Sequence, residues 1–330
     1  MAWGGSLRSA LAGRGRRNVV IDFRFYLRMT YLGRLLTRPV SRTVGRIILP
    51  ILGRKRLRHL RDAIQGNIEV ALSARVVGAQ PALRRAASPL CDTAESLARR
   101  VFSNFGAYIA DYFLLPWITR RSIHHWVAAH EGTEHLDAAL ARGRGVLLMT
   151  CHLGLWELGG IYLRFGGYDV NVVGLVDTAH SGITEFRDWM RTRHGIGVIN
   201  RDGVHLAALT IRQLLSENKI IALLGDRLVG EKGLEVDFMG RRVAFPVGPF
   251  RLARATGATV LPCFVIREGR GYRAIIEPPI EVGQATNLPR NDFQAPVQEL
   301  ARRFERRICR HFDQWYVFFP FWEPSRGFEL

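Results

Sequence analysis

The segment GVLLMTCHLGLWELGG, Gly145 to Gly160, constrains the fold more than any other stretch of the chain. Val146 to Met149 is a short uninterrupted apolar run, the pattern of a strand buried on both faces. Leu155 to Leu163 has the spacing of a helix, and Gly154 marks the break between the two. A buried strand that passes straight into a helix is the repeating unit of α/β proteins. The expected fold class is therefore α/β, with a mixed, mostly parallel sheet covered by helices.

The same segment carries chemistry. His152 falls on the turn, and Glu157 follows after four intervening residues. Residues five apart on one continuous helix point about 140° away from each other, so the pair can meet only if His152 precedes the helix. Glu157 then lies in the first helical turn, where the helix dipole favours a carboxylate. An imidazole held by an acid keeps one nitrogen protonated and leaves the other free to accept a proton, which makes His152 a candidate general base.

Helices are expected at Leu57 to Leu72, Thr93 to Tyr112, Gly182 to Arg193, Val204 to Leu215, Pro249 to Thr256 and from about Asp292 to Phe312. Strands are expected at Asp169 to Val176, Ile220 to Leu224, Leu234 to Phe238 and Val260 to Ile266. Ligands collect beyond the carboxyl ends of parallel strands, which is where His152 and Asp226 both fall. Arg227 follows Asp226 and faces the same cleft or closes an internal ion pair. In GLEVDFMG, alternation puts Glu235, Asp237 and Met239 on one face and Leu234, Val236 and Phe238 on the other. Arg187 and Arg191 are four apart, on one helix face, where they either grip a phosphate or face solvent. Gly248 and Pro249 open a helix whose first amides suit an anion or simply form a tight turn.

Taken together, HLGLWE, IALLGDRLVG, GLEVDFMG, FPVGPFRLARATGATVLPCF and the closing QWYVFFPFW resemble the blocks of the bacterial lipid A late acyltransferase and phosphatidylinositol mannoside acyltransferase family. That family lies within the lysophospholipid acyltransferase group, and the likeness extends from about Leu57 onward. The resemblance implies acyl transfer from a thioester, on acyl carrier protein or coenzyme A, to a hydroxyl of a lipid such as a lipid A precursor or phosphatidylinositol mannoside. No cofactor beyond that co-substrate and no metal is expected. In the mannoside branch a glutamate in a block comparable to that of Glu235 pairs with the catalytic histidine, so Glu157, Glu235 and Asp226 compete for that role. Backbone amides near Gly154 or the Arg227 guanidinium are the expected oxyanion donors. The acyl chain is expected along the aromatic segments Phe113 to Trp117 or Trp315 to Trp322. The same His-acid pair would also serve a thioesterase or esterase, although no GxSxG elbow is present. A basic membrane adaptor without activity is the third reading.

Charge is unevenly placed. The chain carries a formal +18, and residues 1 to 60 hold 14 Arg or Lys against the single acid Asp22. These arginines alternate with Phe23, Phe25, Tyr26, Leu27, Met29, Tyr31, Leu32, Leu35 and Leu36, and then with Ile47, Ile48, Leu49, Ile51 and Leu52. Basic amphipathic sequence of this kind suits an anionic membrane surface better than nucleic acid, for which no binding motif is present. Residues 1–56 are accordingly assigned as a membrane-associating segment and 57–330 as the acyltransferase domain. No run of about 18 residues escapes charge and no signal peptide is evident, which predicts peripheral attachment at the cytoplasmic face of a bacterial inner membrane. Cys91, Cys151, Cys263 and Cys309 form no CxxC pair, and Cys151 is read as a small buried thiol rather than a nucleophile.

Overall fold

The computed structural model describes residues 22–56, 58–76, 93–174, 181–200, 204–228, 233–283 and 292–322. Residues 1–21, which carry the first arginines of the basic segment, lie outside the described residues. So do Cys91, the end of the strand expected to reach Val176, and the close of the GDRLVG block.

Val146–Thr150 (β2) is buried at every position, as an unbroken apolar run requires of a strand covered on both faces. Its alternation feeds two cores: Leu147 and Met149 join the larger one, while Val146 and Leu148 join the smaller. Around β2 stand Val127–Glu131 (β1), Val170–Gly174 (β3), Gly197–Asn200 (β4), Ile220–Leu224 (β5), Thr259–Glu268 (β8) and Gly271–Ile276 (β9). They form one seven-stranded sheet in the order β1-β9-β8-β2-β5-β3-β4. All pairings are parallel except β8 with β9, so the sheet is mixed and mostly parallel, as expected.

The helices before the sheet are Phe23–Leu35 (α1), Arg38–Arg56 (α2), Arg58–Val76 (α3) and Ala94–Leu114 (α4). Those woven through it are Thr133–Ala141 (α5), Trp156–Phe165 (α6), Ser181–Arg193 (α7), Val204–Ser216 (α8), Gly248–Thr256 (α9) and Gln294–Arg310 (α10). Residues Leu136 and Ala139 of α5 fill the smaller core, and Leu300, Phe304 and Ile308 of α10 fill the larger. The expected helices and strands are present within a few residues, but β1, β4, β9, α5 and a further strand at Arg241–Pro246 carry no expectation from the sequence. Strand β1 is VAAHE, short and half polar, and carries no periodic signal of its own.

Gly233–Phe238 (β6) and Arg241–Pro246 (β7) form a separate antiparallel hairpin. Glu235 and Asp237 are exposed while Val236 and Phe238 are buried, in keeping with alternation. Met239 departs from it: the side chain is buried, not exposed beside Glu235. The reason is local, since Met239 and Gly240 take φ of 50° and 74° and make the two-residue turn that ends the strand.

The basic segment is bound into the fold. Buried Asp111 of α4 accepts from Arg42 Nε (2.9 and 3.0 Å) and NH2 (2.6 Å), from Arg38 Nε (3.2 Å), and from the Tyr272 hydroxyl of β9 (2.6 Å). Helix α2 crosses α4 backbone to backbone: a Cβ on Gly45 would lie 2.2 Å from the Gly106 carbonyl oxygen. The outer surface of the α1–α2 pair stays apolar, with Phe25, Tyr31, Leu32, Leu35, Ile47, Ile48 and Ile51 exposed, Leu35 at 81%. Among the described residues no helix is long and apolar enough to cross a membrane.

Candidate active site

Strand β2 runs past Thr150 into a tight turn whose amides from His152 to Leu155 are all committed. The His152 amide donates to Asp226 Oδ2 (2.9 Å), Leu153 to the Cys151 carbonyl (2.7 Å), Gly154 to the Gln314 carbonyl (3.0 Å) and Leu155 to the Val265 carbonyl (2.9 Å). Gly154 has φ +67°, and a Cβ there would lie 2.0 Å from the Val265 oxygen, so the turn admits only glycine. From the C-terminal segment, the Tyr316 amide donates to the His152 carbonyl (2.8 Å). The imidazole therefore hangs from a backbone fixed on three sides.

His152 Nδ1 lies 2.8 Å from Asp226 Oδ1. The two residues end neighbouring parallel strands, β2 and β5, whose register pairs Val146 with Ile220 and Thr150 with Leu224. Asp226 is 2% exposed, and burial by itself would raise its carboxyl; attraction to the imidazole, hydrogen bonds from the ring and amide of His152, and its own amide outweigh burial and hold it below the usual value. A carboxylate only accepts, so the proton of this bond belongs to Nδ1 and the lone pair to Nε2. The His152 side chain is 23% exposed, enough for Nε2 to meet a substrate, and Trp156 packs edge-on against the ring at 5.3 Å.

Glu157 is placed elsewhere than expected. It is buried and paired with Arg191 of α7, which donates from Nε (3.1 Å) and NH2 to its two oxygens. Once α6 starts at Trp156, the Glu157 side chain projects toward α7 and not back over the turn. Arg191 is thereby occupied, and it also lies 3.5 Å from Asp188, so the Arg187–Arg191 face is not an open phosphate clamp. Glu235 sits on the exposed side of the β6–β7 hairpin with Arg242 (3.3 Å). Of the three competing acids, the structure brings only Asp226 to His152.

The remaining candidates are readily placed. Arg227 stacks over Phe319 at 5.1 Å, beside the site. Gly248 opens α9 at an exposed position, with Val247 as the cap. The amides of residues 152 to 155 are engaged, which removes Gly154 as an oxyanion donor; the first amides of α6, at Trp156 and Glu157, precede that helix's own ladder. Cys151 is fully buried, and burial followed by the charge of Asp226 pushes its thiol well up, as befits an inert side chain. Among the described residues no three His, Cys, Asp or Glu converge as metal ligands.

An apolar cavity opens between α6 and the sheet, lined by Leu148, Thr150, Trp156, Gly159, Gly160, Leu163, Ala222, Val265, Ala274 and Ile276 among others. It shares Trp156 with the imidazole. The aromatic segments expected to line such a groove instead pack into the larger core, where Leu115, Trp315 and Tyr316 are buried. Trp156, Gln314 and Tyr316 were not singled out from sequence; the closing QWY block was the available signal for the last two.

The family model for bacterial lipid A biosynthesis acyltransferase matches residues 87–323. Similar proteins include the phosphatidylinositol mannoside acyltransferase of Mycobacterium tuberculosis strain H37Rv, 31% identical over 255 residues, which covers 76% of this chain and 74% of that protein. The protein of the same name from Mycolicibacterium smegmatis is 27% identical over 253 residues, 76% of this chain and 77% of its own length.

Proposed function

This chain belongs to the bacterial lipid A biosynthesis acyltransferase family and is an acyltransferase; we propose that it moves a fatty acyl group from an acyl thioester to a hydroxyl of a glycolipid, with His152 as general base and Asp226 as its orienting acid. The observation that carries this reading is the 2.8 Å contact between His152 Nδ1 and the buried Asp226 carboxylate. It presents Nε2 as the basic nitrogen. Nε2 takes the proton of the acceptor hydroxyl as its oxygen attacks the thioester carbonyl; collapse of the tetrahedral intermediate breaks the C–S bond, and the imidazolium returns the proton to the departing thiolate. Asp226 stabilises the imidazolium while it exists. The first amides of α6 and the Arg227 guanidinium are the donors for the oxyanion. Glu157 and Arg191 hold α6, and with it Trp156, against the ring.

The cavity beneath α6 is the proposed seat of the acyl chain, because it is mostly apolar and Trp156, which packs on the His152 ring, is part of its lining. The name of the mycobacterial relatives makes a phosphatidylinositol mannoside the first acceptor to test, and the family description makes a lipid A precursor the second. Acyl carrier protein and coenzyme A are the alternative donor carriers. The exposed apolar surface of α1 and α2, with its arginines, is proposed to rest on the cytoplasmic, anionic face of the membrane in which the acceptor lies.

The test is an assay with purified protein, an acyl thioester and each acceptor, following thiol release and the mass gained by the lipid. His152→Ala is expected to lower transfer by about a hundredfold or more at unchanged secondary structure. A variant that keeps most of its activity would remove His152 from the mechanism.

A further inference from the structure

Helix α2 does more than cover the core. Because Gly45 and Gly106 touch, the next residue, Arg46, is delivered against one turn of α4, residues 104 to 106; a Cβ on Gly106 would lie 2.9 Å from the Arg46 amide nitrogen. The Arg46 Nε is buried and has no hydrogen-bond partner among the described residues. Its guanidinium meets no carboxylate there, unlike Arg42 on Asp111 or Arg191 on Glu157.

A second guanidinium reaches the same turn from the sheet. Arg267 of β8 donates from NH2 to Asn104 Oδ1, while its backbone exchanges hydrogen bonds with the Gln314 side chain (2.9 and 3.0 Å). The nearby acid, Asp313, is engaged by Asn104 Nδ2 (2.8 Å) and makes no ion pair with either arginine. Burial first, and then the neighbouring charges of Arg267 and Arg42, push the Arg46 guanidinium down from its ordinary value. The two cations repel each other across this turn, only partly offset by the pull of Asp111 on Arg46, and neither makes an ion pair among the described residues, an arrangement that a phosphate relieves.

The spot adjoins the reaction centre. Phe105, on that turn of α4, packs at a tilt against Tyr316 at 5.2 Å between ring centres, and the Tyr316 amide holds the His152 carbonyl. On the outer side, Ile47 and Ile48 follow Arg46 on α2 and are exposed. We propose that Arg46 and Arg267 form a phosphate-binding site at the edge of the His152 cleft, one that positions a phosphate ester or diester of a substrate; the proposal rests on the acyl-transfer reading above. The phosphate comes from the pantetheine arm of the donor or from the head group of the acceptor lipid.

The experiment uses full-length protein and the variants Arg46→Gln, Arg46→Lys and Arg267→Gln. In steady-state kinetics each Gln variant is expected to raise KM for one substrate by about tenfold or more, the size of a lost charge-assisted contact, while kcat changes little and Arg46→Lys recovers part of the loss. A rise confined to the thioester assigns the phosphate to the donor; one confined to the lipid assigns it to the acceptor. Unchanged KM for both overturns the proposal. Inorganic phosphate alone, at ionic strength matched with chloride, is expected to raise the melting temperature of the wild type and to lose that effect in both Gln variants, a readout independent of turnover. An equal phosphate response in wild type and variants also overturns it. Should Arg46→Gln fail to fold, Arg267→Gln tests the same site from its other wall. A wild type that binds phosphate but transfers no acyl group would count against the catalytic reading and not against the site.

Discussion

Two buried aspartates divide the labour of this protein. Asp111 receives two guanidinium groups and a phenol, and every partner is itself at least half buried. Asp226 receives one imidazole and two amides, and that imidazole keeps a free edge toward the cleft. A carboxylate saturated by fixed cations can only hold things together. One whose partner still has a basic nitrogen facing outward can move a proton. Burial alone therefore does not distinguish a structural acid from a chemical one; what distinguishes them is whether the partner has finished bonding.

The contrast is broken most forcefully at Asp111. Asp111→Ala strands Arg38 and Arg42 without their acid, and is expected to cost about 3–5 kcal/mol of stability in chemical denaturation, the usual penalty for leaving a buried charge unpaired. A loss below about 1 kcal/mol would show that the α2 arginines find other partners and that Asp111 is not the lock. Asp226→Asn should do the opposite. It keeps the shape but removes the charge that fixes the Nδ1 proton, and acyl transfer is expected to fall by about a hundredfold, approaching His152→Ala because the two act as one unit. If the double variant is much worse than either single one, the two residues work independently.

Glu157 sharpens the comparison from the structural side. With Arg191 as its partner, Glu157→Gln and Arg191→Met are expected to lower stability by amounts that do not add, with a coupling of about 1–3 kcal/mol in a double-mutant cycle. Additive losses would separate the pair. Acid denaturation gives a smaller signal. The Asp226 carboxyl is held below its ordinary 3.8, so its contribution is fully present above that pH and is lost as the pH falls through the lower folded value. Asp226→Asn should therefore flatten the acid limb of the stability profile, and an unchanged limb would mean that the carboxylate is no better stabilised folded than unfolded. The smallest effect is expected at Glu235: with both partners of its ion pair largely in water, Glu235→Gln should change activity and stability within error.

The strand, the turn and His152 were legible in the sequence because each announces itself locally: an apolar run, a glycine and a polar residue at a strand end. The partner acid was legible only as one of three candidates, Glu157, Glu235 and Asp226. Glu157 is five residues from His152 and Asp226 is 74, and only the parallel register of β2 and β5 shows that the distant one is closer in space. The same holds for the N-terminal helices. Their alternation of arginine with apolar residues predicted an amphipathic surface, and it is there, but the contact between Gly45 and Gly106 that presses α2 onto α4 depends on two residues with no side chain to signal it. Strand β1 carries no sequence signal because a short, partly polar edge strand acquires its form from its neighbour.

The 74-residue separation also makes the catalytic pair a clock for folding. Between His152 and Asp226 the chain must complete three crossovers, through α6, α7 and α8, before β5 can lie beside β2. Helices form early and locally, whereas parallel strands close the largest loops and come late. After dilution from denaturant, helical circular dichroism should return first and acyl transfer only when the central pairing is made. Turnover would then time the central strand pairing directly.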